Sequence, residues 1–356
     1  MKYHPVPYGS APAAGSAPRA LCALACSLIL GVHGLAAEAP DGPSRTQDIS
    51  LEKGWNAVFV EVQPHQDAPG QVFAGVPVDK VATLFENPVT DQFVTDPGIA
   101  LGSTSGWGVW YAPELPEAFL KSLDAINGNR GYLVHAKQPC RVSITGSVEV
   151  EPTEWRADAF NLVGFSVAEL GAPTFAQYFG GSKAHAGQAI YRLVKGRWKK
   201  VLQPSAETLR PGEAFWIYCK GPSDFQGPLR VETTSHQGLV LGEESASVVI
   251  RNACTHPLTP TLHHLPAAGP PVPLSIVVRT YGSPAEPVAS AATPMPAGPW
   301  VQALPALESG GAVAVPFRCR REAMSQPGQA SLLKITTDLG SVHWLPVRGS
   351  RDDIQR

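Results

Sequence analysis

The chain has 356 residues and a formal net charge of −2, with 28 Lys and Arg against 30 Asp and Glu. This near balance argues against a nucleic-acid partner or an anionic membrane surface held by charge. The 34 Gly and 35 Pro are spread between apolar runs, which indicates a folded β protein with many turns rather than a disordered chain.

The amino terminus is typical of a secretory signal peptide. Basic residues precede an apolar run at 21–32, small residues follow it, and cleavage is expected at Ala36 or Ala37. The run is shorter than the ~20 residues that a membrane span requires, and no later segment is long and apolar enough to cross a bilayer. We therefore expect an exported protein, extracellular, at the cell surface or periplasmic, that loses residues 1–37 and continues with a polar linker over 38–48.

A repeated stretch determines the predicted organisation of the chain. Residues 54–62 return about 105 positions later as residues 159–167, and in both copies an aromatic residue and an Asn lead into apolar residues that favour β structure. We expect the aromatic ring to anchor the core and the Asn side chain to hold the preceding turn. These predicted anchors are Trp55, Asn56, Phe160 and Asn161.

Apolar spacing predicts the other elements of the first copy. Val81, Leu84 and Phe85 at i, i+3 and i+4 predict a short helix over 78–85, and a second helix is expected over 116–126. Strands are predicted at 55–62, 107–111, 131–135 and 140–144.

The second copy has the same order of elements. A helix at 175–179 is matched to 81–85, a strand at 189–193 to 108–112, and a strand at 209–218 to 126–135. A turn at Lys195-Gly196 predicts a hairpin that continues through 197–201. The sequence distance between matched elements falls from about 105 to about 82 residues along the copies, and the change occurs only in loops. Loops tolerate changes in length at little cost in stability.

The last region has a different character. Residues 233–349 contain strand patterns separated by turn signals, which predicts an immunoglobulin-like sandwich. The predicted fold is therefore all-β with a few short helices. The predicted divisions are a signal peptide (1–37), a linker (38–48), two β modules (49–151 and 152–232), the sandwich (233–349) and a polar tail (350–356).

Two stretches also resemble known families. Gly-Trp-Asn at 54–56 and Leu-x-Pro-Gly-x-Ala-Phe-Trp-Ile at 209–217 resemble tandem small β modules of large secreted bacterial surface proteins, a likeness that covers about 49–232. The sequence departs from that pattern at Leu133 and Phe160, where Trp is usual. The last region resembles the Hydin-type or major-sperm-protein-like immunoglobulin domain. The module resemblance implies no catalytic residue.

Standard catalytic and metal-binding patterns are missing from the sequence. Thr104 occupies the Ser position of a nucleophile-elbow outline at 102–106, which a flexible loop explains better. His263 and His264 are adjacent on a strand and point to opposite faces, so they would not converge on one metal. We predict no catalytic, cofactor-binding or metal-binding residue; carboxylates dispersed along the chain leave a hydrolase as a third option.

Exposed aromatic rings carry the second functional hypothesis, carbohydrate binding. Trp107, Trp110 and Trp198 lie near turns or on hairpins, where a ring can stack on a sugar, although core packing also explains them. A glycan-binding assay and the burial of the three rings distinguish these alternatives.

Four cysteines remain after removal of the leader, and export permits disulfides. Cys254 and Cys319 each follow a strand of the last region, and they can form a bridge if those strands end on the same side of the sandwich. Cys140 and Cys219 are not paired with each other by this reasoning.

The sequence thus favours an exported, non-enzymatic structural or interaction protein of the bacterial cell surface or envelope. Its partner is not identified: surface proteins and polysaccharide stay open, nucleic acid is not expected, and no cofactor is implied. Oligomeric state and anchoring are also left open.

Overall fold

The computed structural model describes residues 42–85, 106–148, 150–242, 245–280 and 289–351. The predicted signal peptide, most of the elbow-like loop and most of the polar tail lie outside these residues. Within the described ranges, no helix combines the length and the apolarity needed to cross a membrane.

The described chain is all-β, as predicted, with five sheets and few helical turns. The first region has strands β1 (Ser44–Leu51), β2 (Gly54–Val60), β3 (Val62–Pro64), β4 (Val78–Leu84), β5 (Trp107–Tyr111), β6 (Arg130–Ala136) and β7 (Cys140–Val148), with helix α1 (Pro69–Val72) and a 3-10 helix (Pro116–Leu120). The second has β8 (Ala159–Gly164), helix α2 (Phe175–Phe179), β9 (Ile190–Val194), β10 (Arg197–Lys200) and β11 (Ala214–Cys219).

The third region contains ten strands and a short 3-10 helix (Arg321–Ala323). Its strands are β12 (Leu229–Thr233), β13 (Leu239–Leu241), β14 (Ala246–Asn252), β15 (Pro260–Pro266), β16 (Leu274–Thr280), β17 (Ala289–Pro294), β18 (Trp300–Ala303), β19 (Ala312–Cys319), β20 (Gly328–Thr337) and β21 (Val342–Ser350). They form two sheets, ordered β12-β14-β19-β16-β17 and β13-β21-β20-β15-β18, which enclose one apolar cluster as a sandwich. The β13–β21 pairing is parallel; the other ladders are antiparallel.

The repeat is visible in the sheet topology. In the first copy the order is β2-β6-β4-β5, and in the second it is β8-β11-β9-β10, which is the same order of equivalent strands. A further sheet, β1-β7-β3, packs on the first copy's sheet through a second apolar cluster. The two four-stranded sheets share a third cluster, so the copies are packed together rather than separate.

The two Asn residues make matching hydrogen bonds. Oδ1 of Asn56 accepts from the backbone N–H of Glu52 at 2.9 Å, and Nδ2 donates to the carbonyls of Glu52 at 2.8 Å and Gly54 at 2.9 Å. Asn161 accepts from the N–H of Arg156 at 2.8 Å and donates to the carbonyls of Arg156 and of the residue two positions before the Asn, both at 3.1 Å. Each amide therefore closes the turn that feeds its strand.

Trp55 and Phe160 are both half-buried at the edge of the cluster that the two sheets share. Trp55 lies opposite His135 on the neighbouring strand, with ring centroids 5.1 Å apart. Phe160 lies opposite Tyr218 at 5.3 Å. The two rings thus occupy equivalent positions in the two sheets.

The predicted helix over 78–85 is wrong, because the segment forms strand β4. Val78 and Val81 pack into the cluster below the sheet, whereas Ala82 and Leu84 pack into the cluster above it. A strand buried on both faces loses the alternation that identifies strands, and its apolar residues then imitate helical spacing. The helical turn that precedes this strand is α1, so α1 and not 81–85 corresponds to α2.

The other predicted helices differ in outcome. The helix at 175–179 is confirmed as α2, which begins with a capping box between Thr174 and Gln177. The helix predicted over 116–126 shrinks to the 3-10 turn Pro116–Leu120.

Strand pairing also corrects two predicted region boundaries and one predicted correspondence between the copies. The linker predicted over 38–48 ends earlier, because β1 begins at Ser44 and pairs with β7. Strand β12 pairs with β14, so Leu229–Thr233 is part of the sandwich rather than of the second copy. The strand at 108–112 corresponds to β10 and not to 189–193, because β5 and β10 are the outer strands of equivalent sheets.

Replacing either Asn should destabilise the fold by a similar amount. Asn56→Ala and Asn161→Ala each remove the three hydrogen bonds that close a turn, and we expect each to lower the free energy of unfolding by about 1–3 kcal/mol in urea titrations. Thr46→Ala, which removes an exposed hydroxyl contact with Thr145, is the control and should have little effect. A loss in one Asn variant without a comparable loss in the other would contradict the equivalence of the two turns.

Candidate functional site

The rings predicted to stack on a sugar are in the core. Trp107 is 5% exposed and Trp110 is 8% exposed, so neither offers a free face to a ligand. Trp198 is half-buried and packs on the same cluster as Trp107. The prediction is therefore wrong for Trp107 and Trp110, because Trp107 packs into the cluster that the two copies share and Trp110 packs into the cluster on the other face of the first copy's sheet.

The predicted bridge between Cys254 and Cys319 does not form; both thiols are free. The prediction required their strands to end on the same side, but β14 and β19 are antiparallel, with Ala246 opposite Phe317 and Arg251 opposite Ala312. The two cysteines therefore lie at opposite ends of the pair, separated by about eight residues of strand, or roughly 25 Å. A disulfide requires Cα atoms within about 7 Å.

His263 and His264 lie on β15 and have separate partners, as expected for adjacent strand positions. Nε2 of His264 lies 2.8 Å from Oγ of Ser331, and its ring packs on Trp300 at 5.3 Å. His263 contacts Oγ1 of Thr336 instead. Burial lowers the pKa of His264 to about 4, so this ring is a neutral member of the sandwich core.

A second buried imidazole lies under the second copy. Nδ1 of His185 is 2.7 Å from Oγ of Ser182, and the ring centroid lies 4.0 Å from that of Trp155 in a tilted contact. Burial lowers the pKa of His185 to about 4. A base this weak stays neutral at ordinary pH, and aromatic rings surround it.

A carboxylate–imidazole pair lies on the first copy. A β-bulge between Val78 and Lys80 turns Asp79 toward His135, and Oδ1 of Asp79 is 2.6 Å from Nδ1 of His135. The His135 ring also meets the edge of Trp55. This pair orients the imidazole beside the first predicted anchor of the repeat.

One group of polar contacts joins all three regions. Arg45 on β1 forms an ion pair with Glu61, and its guanidinium lies 4.7 Å from the ring centroid of Trp344 on β21. Glu61 also accepts a hydrogen bond from Oγ of Ser166 at 2.7 Å. Sequence reasoning missed this group because its four members are far apart in the chain and form no motif.

A cavity of about 330 Å³ opens beside this ion pair. Its lining combines charged, amide and aromatic side chains from the three regions, including Arg45, Glu61, Gln226, Arg230, His343 and Trp344. Burial lowers the pKa of His343 to about 4. Arg45 and Glu61 neutralise each other's charge, so the cavity is best described as a polar gap where the three regions meet.

A larger cavity of about 600 Å³ lies between the two copies. The turn at 127–131 and the connection 151–156 line it, together with the start of the second repeat at 160–163. Among the residues that the structure describes, no group of three or more His, Cys, Asp and Glu side chains could hold a metal ion.

Comparisons with known proteins give weak similarities. No protein-family model and no curated protein matches the chain. A PapD-like domain of human CEP192 is 12% identical, with 36% of this chain and 87% of that chain covered and a TM-score of 0.19. The Enterococcus faecalis adhesin ACE is 7% identical, with 88% and 92% covered and a TM-score of 0.21.

A Listeria innocua beta-glucosidase is 12% identical over 54% of this chain and 22% of that chain, with a TM-score of 0.19. The structural neighbours thus include PapD-like and surface-adhesin β domains as well as a glycosidase. At such TM-scores these likenesses support no conclusion about activity.

Breaking the Arg45–Glu61 pair should cost more than breaking an exposed pair. Arg45→Met leaves a largely buried carboxylate without its cation, and we expect a loss of about 2–3 kcal/mol in the free energy of unfolding. Adding Glu61→Gln to this variant should recover part of the loss. Arg141→Met, which breaks the exposed pair with Asp48, is the control and should cost much less, because solvent screens that pair. Equal losses in the two single variants would contradict a joining role for Arg45.

The buried His264 should make stability depend on pH. Its pKa is about 4 in the folded protein and ~6.5 in the unfolded chain, so only the unfolded state takes up a proton as the pH falls through this interval. The contribution of neutral His264 to the free energy of unfolding is complete above pH ~6.5 and decreases by about 3 kcal/mol toward pH ~4. In urea titrations at several pH values, His264→Gln should show a shallower loss than the original protein. Identical pH slopes would contradict a neutral, buried His264.

Proposed function

We propose that this chain is an exported, non-enzymatic structural and interaction protein of the bacterial cell surface or envelope. The leader-like amino terminus supports export, and the duplicated β modules followed by a sandwich support a structural role. The protein holds binding surfaces in fixed positions, and its charged and aromatic residues chiefly join one β region to the next.

The observation that carries this proposal is the backbone bonding between regions. The N–H of Ala168 donates to the carbonyl of Gly340 at 2.9 Å, and the N–H of Val342 donates to the carbonyl of Ser166 at 3.1 Å, which joins the second copy to the sandwich. The N–H of Phe59 donates to the carbonyl of Gly212 at 2.9 Å, which joins the copies. Modules bonded in this way hold their surfaces at fixed positions relative to one another.

A buried ion pair supports the same role. Nη2 of Arg192 donates to Oε2 of Glu213 at 2.7 Å, and Nε donates to Oε1 at 3.3 Å. The guanidinium also lies about 6 Å from the rings of Phe175 and Phe215. A buried bidentate ion pair of this kind fixes the relative positions of the strands that carry it more than it adds stability.

Expression of the full chain in a bacterium should yield a protein that starts after Ala36 or Ala37, because the apolar run ends in small residues there. Mass spectrometry of the purified protein checks the cleavage, and fractionation checks its position outside the cytoplasm. A version lacking residues 1–37 is the control and should stay in the cytoplasm. Retention of the uncut full chain in the cytoplasm would contradict export, and turnover of glycosides by the purified protein would contradict the non-enzymatic role.

A further inference from the structure

The outer strand of the second copy, β10, carries a dense group of exposed cations. Lys195, Arg197, Lys199 and Lys200 are all exposed within six positions, in a chain of net charge −2. None of the four takes part in the ion pairs found among the described residues. The turn at Lys195 and Gly196, both with positive φ, holds this group at the end of a tight hairpin.

The equivalent strand of the first copy, β5, shows how the outward backbone groups of an outer strand can be satisfied. Its Val109 carbonyl accepts hydrogen bonds from the N–H groups of Ser122 and Leu123 at 2.8 and 3.1 Å, and its N–H donates to Oγ of Ser122 at 3.1 Å. The chain itself therefore covers the outer side of β5. All five residues of β5 are also buried, because apolar clusters lie on both faces of its sheet.

The strand ladders identify Lys200 as the equivalent of Val109. Val109 lies opposite Ala82, and Lys200 lies opposite Tyr191, at matching positions of the two sheets. The N–H of Val201 donates inward to Ile190, so the alternation of the strand turns the N–H and C=O of Lys200 outward. No hydrogen bond from the described chain reaches these two groups, and β9 is the one strand neighbour that β10 has there.

We propose that β10 is a docking edge for an extended acidic peptide segment of a partner protein, which adds to the sheet as a further strand. Successive side chains of β10 point to opposite faces, with Arg197 and Lys199 on one and Lys200 on the other. A strand laid along the edge meets the cations of both faces, whereas a polymer lying on one face meets only part of them. The acidic residues of the added strand pair with these cations across the ladder.

An apolar side chain extends the same edge. Leu202 is 79% exposed just beyond the end of β10. An acidic segment with an apolar residue near one end would cover this side chain as well. This partner deepens the proposed interaction role and rests on it.

A synthetic peptide of repeated Glu-Glu-Val-Val, about ten residues long, is a suitable probe because it places Glu side chains on both faces of the added strand. Fluorescence anisotropy with the purified protein at low ionic strength should show saturable binding that weakens with added salt. The triple variant Arg197→Ser, Lys199→Ser, Lys200→Ser should bind about tenfold more weakly. A matched triple variant, Lys53→Ser, Arg251→Ser, Arg318→Ser, loses the same charge elsewhere and should bind like the original protein.

A second pair of variants separates strand addition from attraction by charge. Lys200→Pro and Lys200→Ser both remove one cation, but only Pro also removes the outward N–H, at an edge position where Pro is tolerated. Weaker binding by Lys200→Pro than by Lys200→Ser is the expected result. Equal binding by the two would overturn strand addition, and so would equally good binding of polygalacturonate, an anionic polysaccharide. Absence of peptide binding would overturn the docking edge while leaving the export and fractionation results unaffected.

Discussion

The two four-stranded sheets share one apolar cluster because the second copy has Gly164 at the position that Phe59 occupies in the first. A Cβ atom on Gly164 would lie 2.3 Å from the Cβ of Phe59, far inside van der Waals contact. One of the two equivalent positions therefore holds a ring and the other must hold none. Burying a Phe side chain contributes about 1.5–3 kcal/mol, and the missing side chain lets the copies approach closely enough to obtain it.

This close packing also explains why the tryptophans are not available to ligands. Trp216 is fully buried, and the rings of Trp107 and Trp198 each lie 6.2 Å from it in edge-on contact. Trp107 lies opposite Leu84 and Trp198 lies opposite Leu193, at equivalent ladder positions of the two sheets. Both copies thus direct their outer-strand Trp toward the same indole, and an aromatic centre forms where sequence position suggested a surface.

Features that depend on neighbouring residues could be predicted from the sequence, and features that depend on distant pairing could not. The turn at Asn56 and Asn161 and the capped helix α2 follow from residues within five positions of one another. Strand β4 was missed because burial on both faces hides its period. The antiparallel direction of β14 and β19 and the Arg45–Glu61–Ser166 contact bring together segments that no local pattern connects.

The path of the chain after the outer strand decides whether that strand is covered. After β5, the segment that contains Ser122 and Leu123 returns along the strand and bonds its outer side. After β10, the connection turns toward α2 instead, where the carbonyls of Pro204 and Glu207 accept hydrogen bonds from its first turn. The same bonds that hold α2 against the second copy therefore divert the chain away from β10. Because one connection cannot follow both paths, the outer strand β5 is covered by its own chain and the equivalent strand β10 is not.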